Sequence, residues 1–236
     1  MNRNRALLLT GLLLLLTLVV FETTGLDLAV QDCFYDSARG WLVDRRAPLP
    51  EFFFYAGPKL AFAVFIAVLL GCLVVPIAWF PRRPFSRRVA AFLLVCVGLV
   101  PGTVGLLKAT TGVFFPYQVE RYGGKQPYRN LVQSIPYVAG RARGRGFPAG
   151  HASGGFALMG LYFAWQNRRG RWLGLASGLV LGWTLGLYQM LRGAHYLSHT
   201  VVTMILAWLI ILLLARLFRL DMPAVAAPVT PSGADT

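Results

Sequence analysis

The sequence predicts an all-α, polytopic membrane protein with six transmembrane helices, on three observations. Of its 236 residues, 56% are hydrophobic and only 14% are charged, whereas a soluble domain carries about a quarter of its residues as charges. The apolar residues fall in six blocks, each at or near the ~20 residues that a helix needs to cross ~30 Å of hydrocarbon. Between several of these blocks lie short loops crowded with arginine. Lipid offers the backbone no hydrogen-bond partner, so each block is expected to be a helix and not a strand.

The first block, 6–22, follows Arg3 and Arg5 and has the apolar run of a signal peptide. The residues after it, Glu22 to Asp27, show no small-x-small cleavage pattern, so it reads as a retained helix. Residues 23–58 form a first outer loop with Phe34, Tyr35, Asp36 and Trp41, and Pro48 to Tyr55 reads as an interfacial aromatic stretch. Blocks 59–80 and 89–107 are the second and third helices. The fourth, 151–166, is short and contains Gly154, Gly155 and Gly160; the fifth and sixth are 172–190 and 199–218. Arg82, Arg83, Arg87 and Arg88 occupy one turn, and Arg168, Arg169 and Arg171 another. With Arg3, Arg5, Arg216 and Arg219 they place those turns and both termini on the cytoplasmic side. The opposite loop, 108–150, is rich in Gly, Pro, Tyr and Arg and is expected to be ordered only in part. Residues 1–220 read as a single six-helix domain, and 221–236 as a disordered cytoplasmic tail.

The net charge of +14 needs no nucleic acid. No zinc-finger, RNA-recognition or helix-turn-helix pattern is present, and short-loop arginines suit an anionic bilayer surface. The seven basic residues between Lys108 and Arg145 lie on the side the positive-inside rule leaves poor in charge, which suits a phosphate-bearing ligand. Cys33, Cys72 and Cys96 form neither a disulfide framework nor a metal-ligand spacing.

Chemistry is concentrated in the histidines, of which the chain has three. His151 lies in Gly146-Phe147-Pro148-Ala149-Gly150-His151, and His195 and His199 lie in Arg192-Gly193-Ala194-His195-Tyr196-Leu197-Ser198-His199. Lys108 closes the third helix, His151 opens the fourth, and the Arg192–His199 segment joins the last two, so topology brings all of them to one membrane face. An imidazole titrates near working pH and can attack phosphorus or protonate a leaving oxygen. Lys108 and Arg192 can hold phosphate oxygens, with Arg121 a further cation. Gly150 and Gly193 allow close backbone approach, and the helix opening at His151 presents free N–H groups to an anion. If the last helix starts early, His195 and His199 share one of its faces.

These motifs resemble those of the type 2 phosphatidic acid phosphatase (PAP2) family, six-helix membrane lipid phosphatases with three motifs. The first is a lysine, six residues, then Arg-Pro; here Lys108 is followed by Phe115-Pro116. The second is Pro-Ser-Gly-His, here Pro148-Ala149-Gly150-His151. The third is Ser-Arg, five residues, His, three residues, Asp; here Gly193 to Ser198 resembles the family's Gly-x-His-x-x-Ser stretch and places His195 at the histidine, with His199 at the aspartate and Gln189 at the arginine. Aligning on Arg192 instead would make His199 the nucleophile, at a spacing one residue too long. The resemblance covers roughly 108–203 and implies a phosphatase acting on a lipid phosphate or diphosphate at the outer face of a bacterial-type inner membrane. It implies His195 as nucleophile, His151 as acid, His199 as the residue that orients His195, and no cofactor. Other readings stay open. Three histidines can bind zinc, although the neighbouring Lys and Arg repel a cation. A transporter or flippase of anionic lipid, or an inactive phosphatase relative, also fits the layout.

Overall fold

The computed structural model describes residues 3–44, 52–136, 140 and 142–220. The expected tail after Leu220 and the first part of the interfacial stretch, 48–51, lie outside them. The chain is mostly helical. Helix α1 (Arg3–Thr23) is followed by a short α2 (Leu26–Asp32) and a two-residue hairpin, β1 (Tyr35–Asp36) with β2 (Gly40–Trp41). A π-helical turn (Phe52–Ala56) leads into α3 (Gly57–Val74), then come α4 (Arg87–Thr111) and the short α5 (Leu131–Ser134). Helix α6 (Gly150–Ala157) runs into a 3-10 segment (Leu158–Phe163), and α7 (Arg168–Leu191) and α8 (Leu197–Leu217) complete the bundle.

Among the described residues five helices, α1, α3, α4, α7 and α8, are long and apolar enough to cross a membrane. They leave large apolar side chains bare on the outside of the bundle, among them Leu106 at 74% and Val180 at 66% exposure, as lipid-facing helices do. The core lies between them, with Phe92, Cys96, Phe156, Met159 and Ile211 all buried. Helix α3 stops six residues before the expected end, because Val75 precedes Pro76 and is extended at φ −69°, ψ 130°.

The fourth apolar block departs most from expectation. It is eight residues of α-helix and six of 3-10 helix, which together rise by roughly 24 Å because a 3-10 turn is stretched. It runs antiparallel to α7 at backbone contact. Gly174, Gly178, Gly182 and Gly186 line one face of α7, and a Cβ on Gly178 would lie 2.3 Å from the Met159 nitrogen. On the facing side, a Cβ on Gly155 would lie 2.5 Å from the Gly182 nitrogen. This small-residue stripe carries α7 against α6, as in close membrane helix pairs, and brings the end of α7 beside the start of α6.

Both described ends of the chain meet at the other end of the bundle, where Arg216 donates to the Asn4 side chain at 3.0 Å. The long loop after α4 is held at the site end. Gly144 N–H donates to the Gly112 carbonyl at 3.0 Å and Gly146 N–H to Val113 at 2.7 Å, which fixes more of it than its composition predicts.

Candidate functional site

Each candidate side chain is set in place by a different segment. Lys108 sits in the last turn of α4, which ends at Gly112 with φ +71°. Gly150 opens α6, and a Cβ there would stand 3.3 Å from the Lys108 ammonium, so the missing side chain leaves room for that cation at the helix start. His151 is the next residue. The first N–H groups of α6 have no carbonyl one turn earlier to bind.

The loop carrying His151 is tied to α8. The Ala149 N–H donates to Thr203 Oγ at 2.8 Å and to the His199 carbonyl at 3.2 Å, and Thr203 Oγ donates to that same carbonyl at 2.7 Å. Thr111 Oγ donates to the Phe147 carbonyl at 2.7 Å, joining α4 to the same loop. The three segments are therefore cross-linked immediately beside their functional residues.

Helix α8 begins at Leu197, so His195 precedes it and the two histidines do not share a helix face. They meet all the same. Nδ1 of His195 lies 3.2 Å from Nδ1 of His199, so with both rings neutral one must carry its proton on Nδ1 and the other on Nε2. Both are 1% exposed, and the Gly146 backbone lies beside both rings. Burial holds the His195 imidazole well below its ordinary value, and His199, Lys108 and His151 push in the same direction. In the folded protein His195 is therefore neutral, the form with a free lone pair.

Charge links the rest of the cluster. Lys108, Arg192 and Lys59 all lie close enough to His151 to act on it electrostatically, and Lys108 and His151 act on His195 in the same way. Arg192 ends α7, its guanidinium lying over the Tyr188 ring at 5.3 Å and donating to the Tyr188 hydroxyl at 3.2 Å. Beside these groups is a cavity of about 320 Å³, lined by Lys59, Lys108, Gly150 and His151 together with Phe54, Phe62 and Leu185. Its walls are apolar and its floor is cationic.

Arg121 is placed differently. It binds both oxygens of Asp32, at 2.9 and 2.6 Å, in a pair that is about half exposed. Two further residues belong to the cluster, of which Lys59 falls in no motif and Phe115 falls in the first. Lys59, on α3, supplies the cavity with a second lysine. Phe115 stands where the first motif has arginine; its ring packs edge-on to His195 at 5.8 Å, and the Lys108 ammonium lies 5.6 Å from its centroid. Among the described residues no three of His, Cys, Asp and Glu gather as a metal would require.

The family model described as PAP2 superfamily matches residues 89–222, more than half of the 236-residue chain. The chain belongs to the PAP2 superfamily. No curated protein and no solved structure matches it. Membership in a family of membrane phosphatases agrees with the long apolar helices and supports a phosphatase-type activity. The matched stretch holds Lys108, His151, Arg192, His195 and His199, and begins after α1, α2 and α3.

Proposed function

We propose that this PAP2 member is an integral membrane phosphatase that releases phosphate from a lipid phosphomonoester or diphosphate through a phosphohistidine. Lys108 and Arg192 hold the phosphoryl oxygens, where the charge of the transition state accumulates. Gly150 and the start of α6 lie beside them. The Nε2 lone pair of His195 attacks phosphorus while the bond to the leaving oxygen breaks, and His151, which burial and its cationic neighbours keep neutral until a phosphate dianion binds among them and brings a proton to it, gives that oxygen its proton. His151 then takes a proton from water as the water attacks the phosphohistidine, releasing inorganic phosphate and restoring both histidines. His199 accepts the Nδ1–H of His195 and so directs Nε2 at phosphorus. Arg121, bound to Asp32, stays a secondary candidate for the headgroup.

The observation that carries this reading is the convergence of Lys108, His151 and the His195–His199 pair from three separate segments, with Lys108 and His151 lining one cavity and the buried histidine pair within electrostatic reach of Lys108. Its apolar walls suit a lipid and its cations suit the phosphate. The 150–163 segment returns the chain across the bundle as α7 requires, which supports six crossings, with both termini cytoplasmic and the site at the outer face of a bacterial-type inner membrane.

A lipid-phosphate-binding relative without turnover is the second reading, favoured by one observation: Phe115 replaces the motif arginine beside a nearly closed His195. Phosphate release from a panel of lipid phosphates and diphosphates in detergent, with and without EDTA, separates the readings. Release that persists in EDTA and disappears in His195→Ala is the expected result. Binding without release favours the second reading, and loss in EDTA restored by zinc overturns the metal-free mechanism.

A further inference from the structure

The segment 26–44 precedes the family-matched stretch, yet it grips the α7–α8 junction at several points. Gln31, fully buried, donates through Nε2 to the Met190 carbonyl at 2.9 Å. Val43 N–H donates to the Leu191 carbonyl at 3.3 Å. Trp41 lies against Gly193, where a Cβ would come within 2.3 Å of the indole, so that residue, at φ +71°, has no room for a side chain. The most consequential contact is made by Asp27. Its Oδ1 accepts the Ser198 N–H at 2.8 Å and its Oδ2 accepts the Ser198 hydroxyl at 2.5 Å, across 171 residues of sequence.

Ser198 is the second residue of α8, and the residue at that helix's own capping position, Tyr196, makes no side-chain capping bond. The N–H groups of a first turn need an outside acceptor, and negative charge is favoured there. Asp27 supplies both from a distant segment. The next residue is His199, whose ring meets His195. We propose that Asp27 is a positioning residue of the reaction: by capping α8 it holds the His199 ring against His195 and so sets the line of attack. This rests on the phosphatase reading above.

The carboxylate is 6% exposed and shares a small cavity with Glu22, Tyr128, Arg129, Tyr196 and His199. Burial lifts its pKa to about 6, against the two Ser198 hydrogen bonds that lower it. The charged cap is thus present at neutral pH and lost in mild acid.

The test uses the full-length protein in detergent, with Asp27→Ala and Asp27→Asn, and activity expressed per folded molecule. Asp27→Ala should lower kcat by ~10–100-fold with KM unchanged, the range seen when a residue that orients a functional imidazole is lost. Asp27→Asn keeps the shape without the charge, so the ratio of wild-type to Asp27→Asn activity should shrink toward one as pH falls through about 6. A purely structural cap would leave that ratio constant, and a constant ratio overturns the proposal, as does wild-type kcat in Asp27→Ala. Should the alanine variant fail to fold, the asparagine ratio decides alone. Hydrogen exchange of the 194–200 peptide gives a readout without substrate: faster exchange in Asp27→Ala is expected, and unchanged exchange overturns the proposal. If the wild type releases phosphate from no lipid, the phosphatase reading fails while the exchange result still decides whether Asp27 braces α8.

Discussion

At the scale of single residues, the departure with most chemical weight is His199 in the place of an aspartate. A neutral imidazole can accept the Nδ1–H of His195, which fixes tautomer and direction, but it lacks the negative charge that steadies an imidazole as it turns cationic. His199→Asp is therefore expected to keep phosphoenzyme formation and turnover at or above the wild-type level. His199→Ala should be slower by ~10–100-fold, and His195→Ala should form no phosphoenzyme. Labelled phosphate trapped in His195→Ala but absent in His199→Ala would show His199 to be the nucleophile. The same buried pair makes a stability prediction. Folded His195 stays neutral, whereas in the unfolded chain it gains a proton near pH ~6.5. The unfolded state then binds more protons, so stability should fall as pH drops below that value. Asp27 acts with the opposite sign: its pKa is raised to about 6 on folding, so the folded state keeps a proton there that the unfolded chain has released, and acid relieves the cost of burying the charge. Melting temperature should thus fall from pH 7 to pH 5, and fall more steeply in Asp27→Asn, where the relief is absent. A flat wild-type profile would contradict the neutral burial of His195. Of the groups that the fold gathers, the histidines, Lys108 and Arg192 were legible as candidates, because residue type and position at a helix edge single them out. The His195–His199 contact was legible only as proximity, since it is made from a loop. The position of Phe115 was legible as the arginine place of the first motif, but the contact of its ring with His195 was not, because a phenylalanine in a membrane protein has no distinguishing pattern.

At the scale of elements, hydropathy located the long helices, and the structure shifts their ends where local chemistry intervenes, as at Val75-Pro76 in α3. It did not reveal how the fourth block is built, because an apolar window cannot distinguish an α-helix from its stretched 3-10 continuation. A clearer signal was present in the spacing of Gly174, Gly178, Gly182 and Gly186 along α7, which anticipates the close-packed side where the first three meet α6 and the 3-10 segment and the last meets Thr200 of α8. The contacts of 26–44 with the α7–α8 junction were hidden because they join residues far apart in sequence, 171 positions for Asp27 and Ser198. The stripe yields a controlled prediction. A methyl group at Gly178 would stand 2.3 Å from backbone that cannot swing aside, so Gly178→Ala should destabilise the protein by ~1–3 kcal/mol or more. It should also reduce activity, because α7 carries Arg192 and leads into the loop of His195. Gly102, in α4, has nothing within 4 Å of where its Cβ would lie, so Gly102→Ala should be neutral or stabilising by up to ~1 kcal/mol. Equal melting temperatures for the two variants would mean that α7 and the 3-10 segment after α6 are not in the contact described.

At the scale of the whole molecule, the proposed orientation, which rests on the arrangement of charges and the placement of the ends, is one the native cysteines can report. The junction of α1 and α2 leads to the end of the bundle where Asp27 meets Ser198, while Asn4 meets Arg216 at the other end. Cys33 follows α2 directly and is exposed, whereas Cys72 and Cys96 are buried among the helices. One thiol of the three is therefore open to a bulky polar reagent, and it lies at the same end as the candidate site. Arginine is dense at the opposite end, in the turns at 82–88 and 168–171, and the proposed orientation turns that end to the cytoplasm, as the positive-inside rule favours. A membrane-impermeant maleimide should accordingly label the unmodified protein in right-side-out vesicles, and Cys33→Ser should remove the label. In inverted vesicles the label should appear only after the membrane is opened with detergent. Labelling confined to inverted vesicles would place Cys33, and with it Lys108, His151 and His195, on the cytoplasmic side. The basic residues from Lys108 to Arg145 would then follow from topology alone, and the argument that they serve an anionic ligand on the outer face would fall with the orientation.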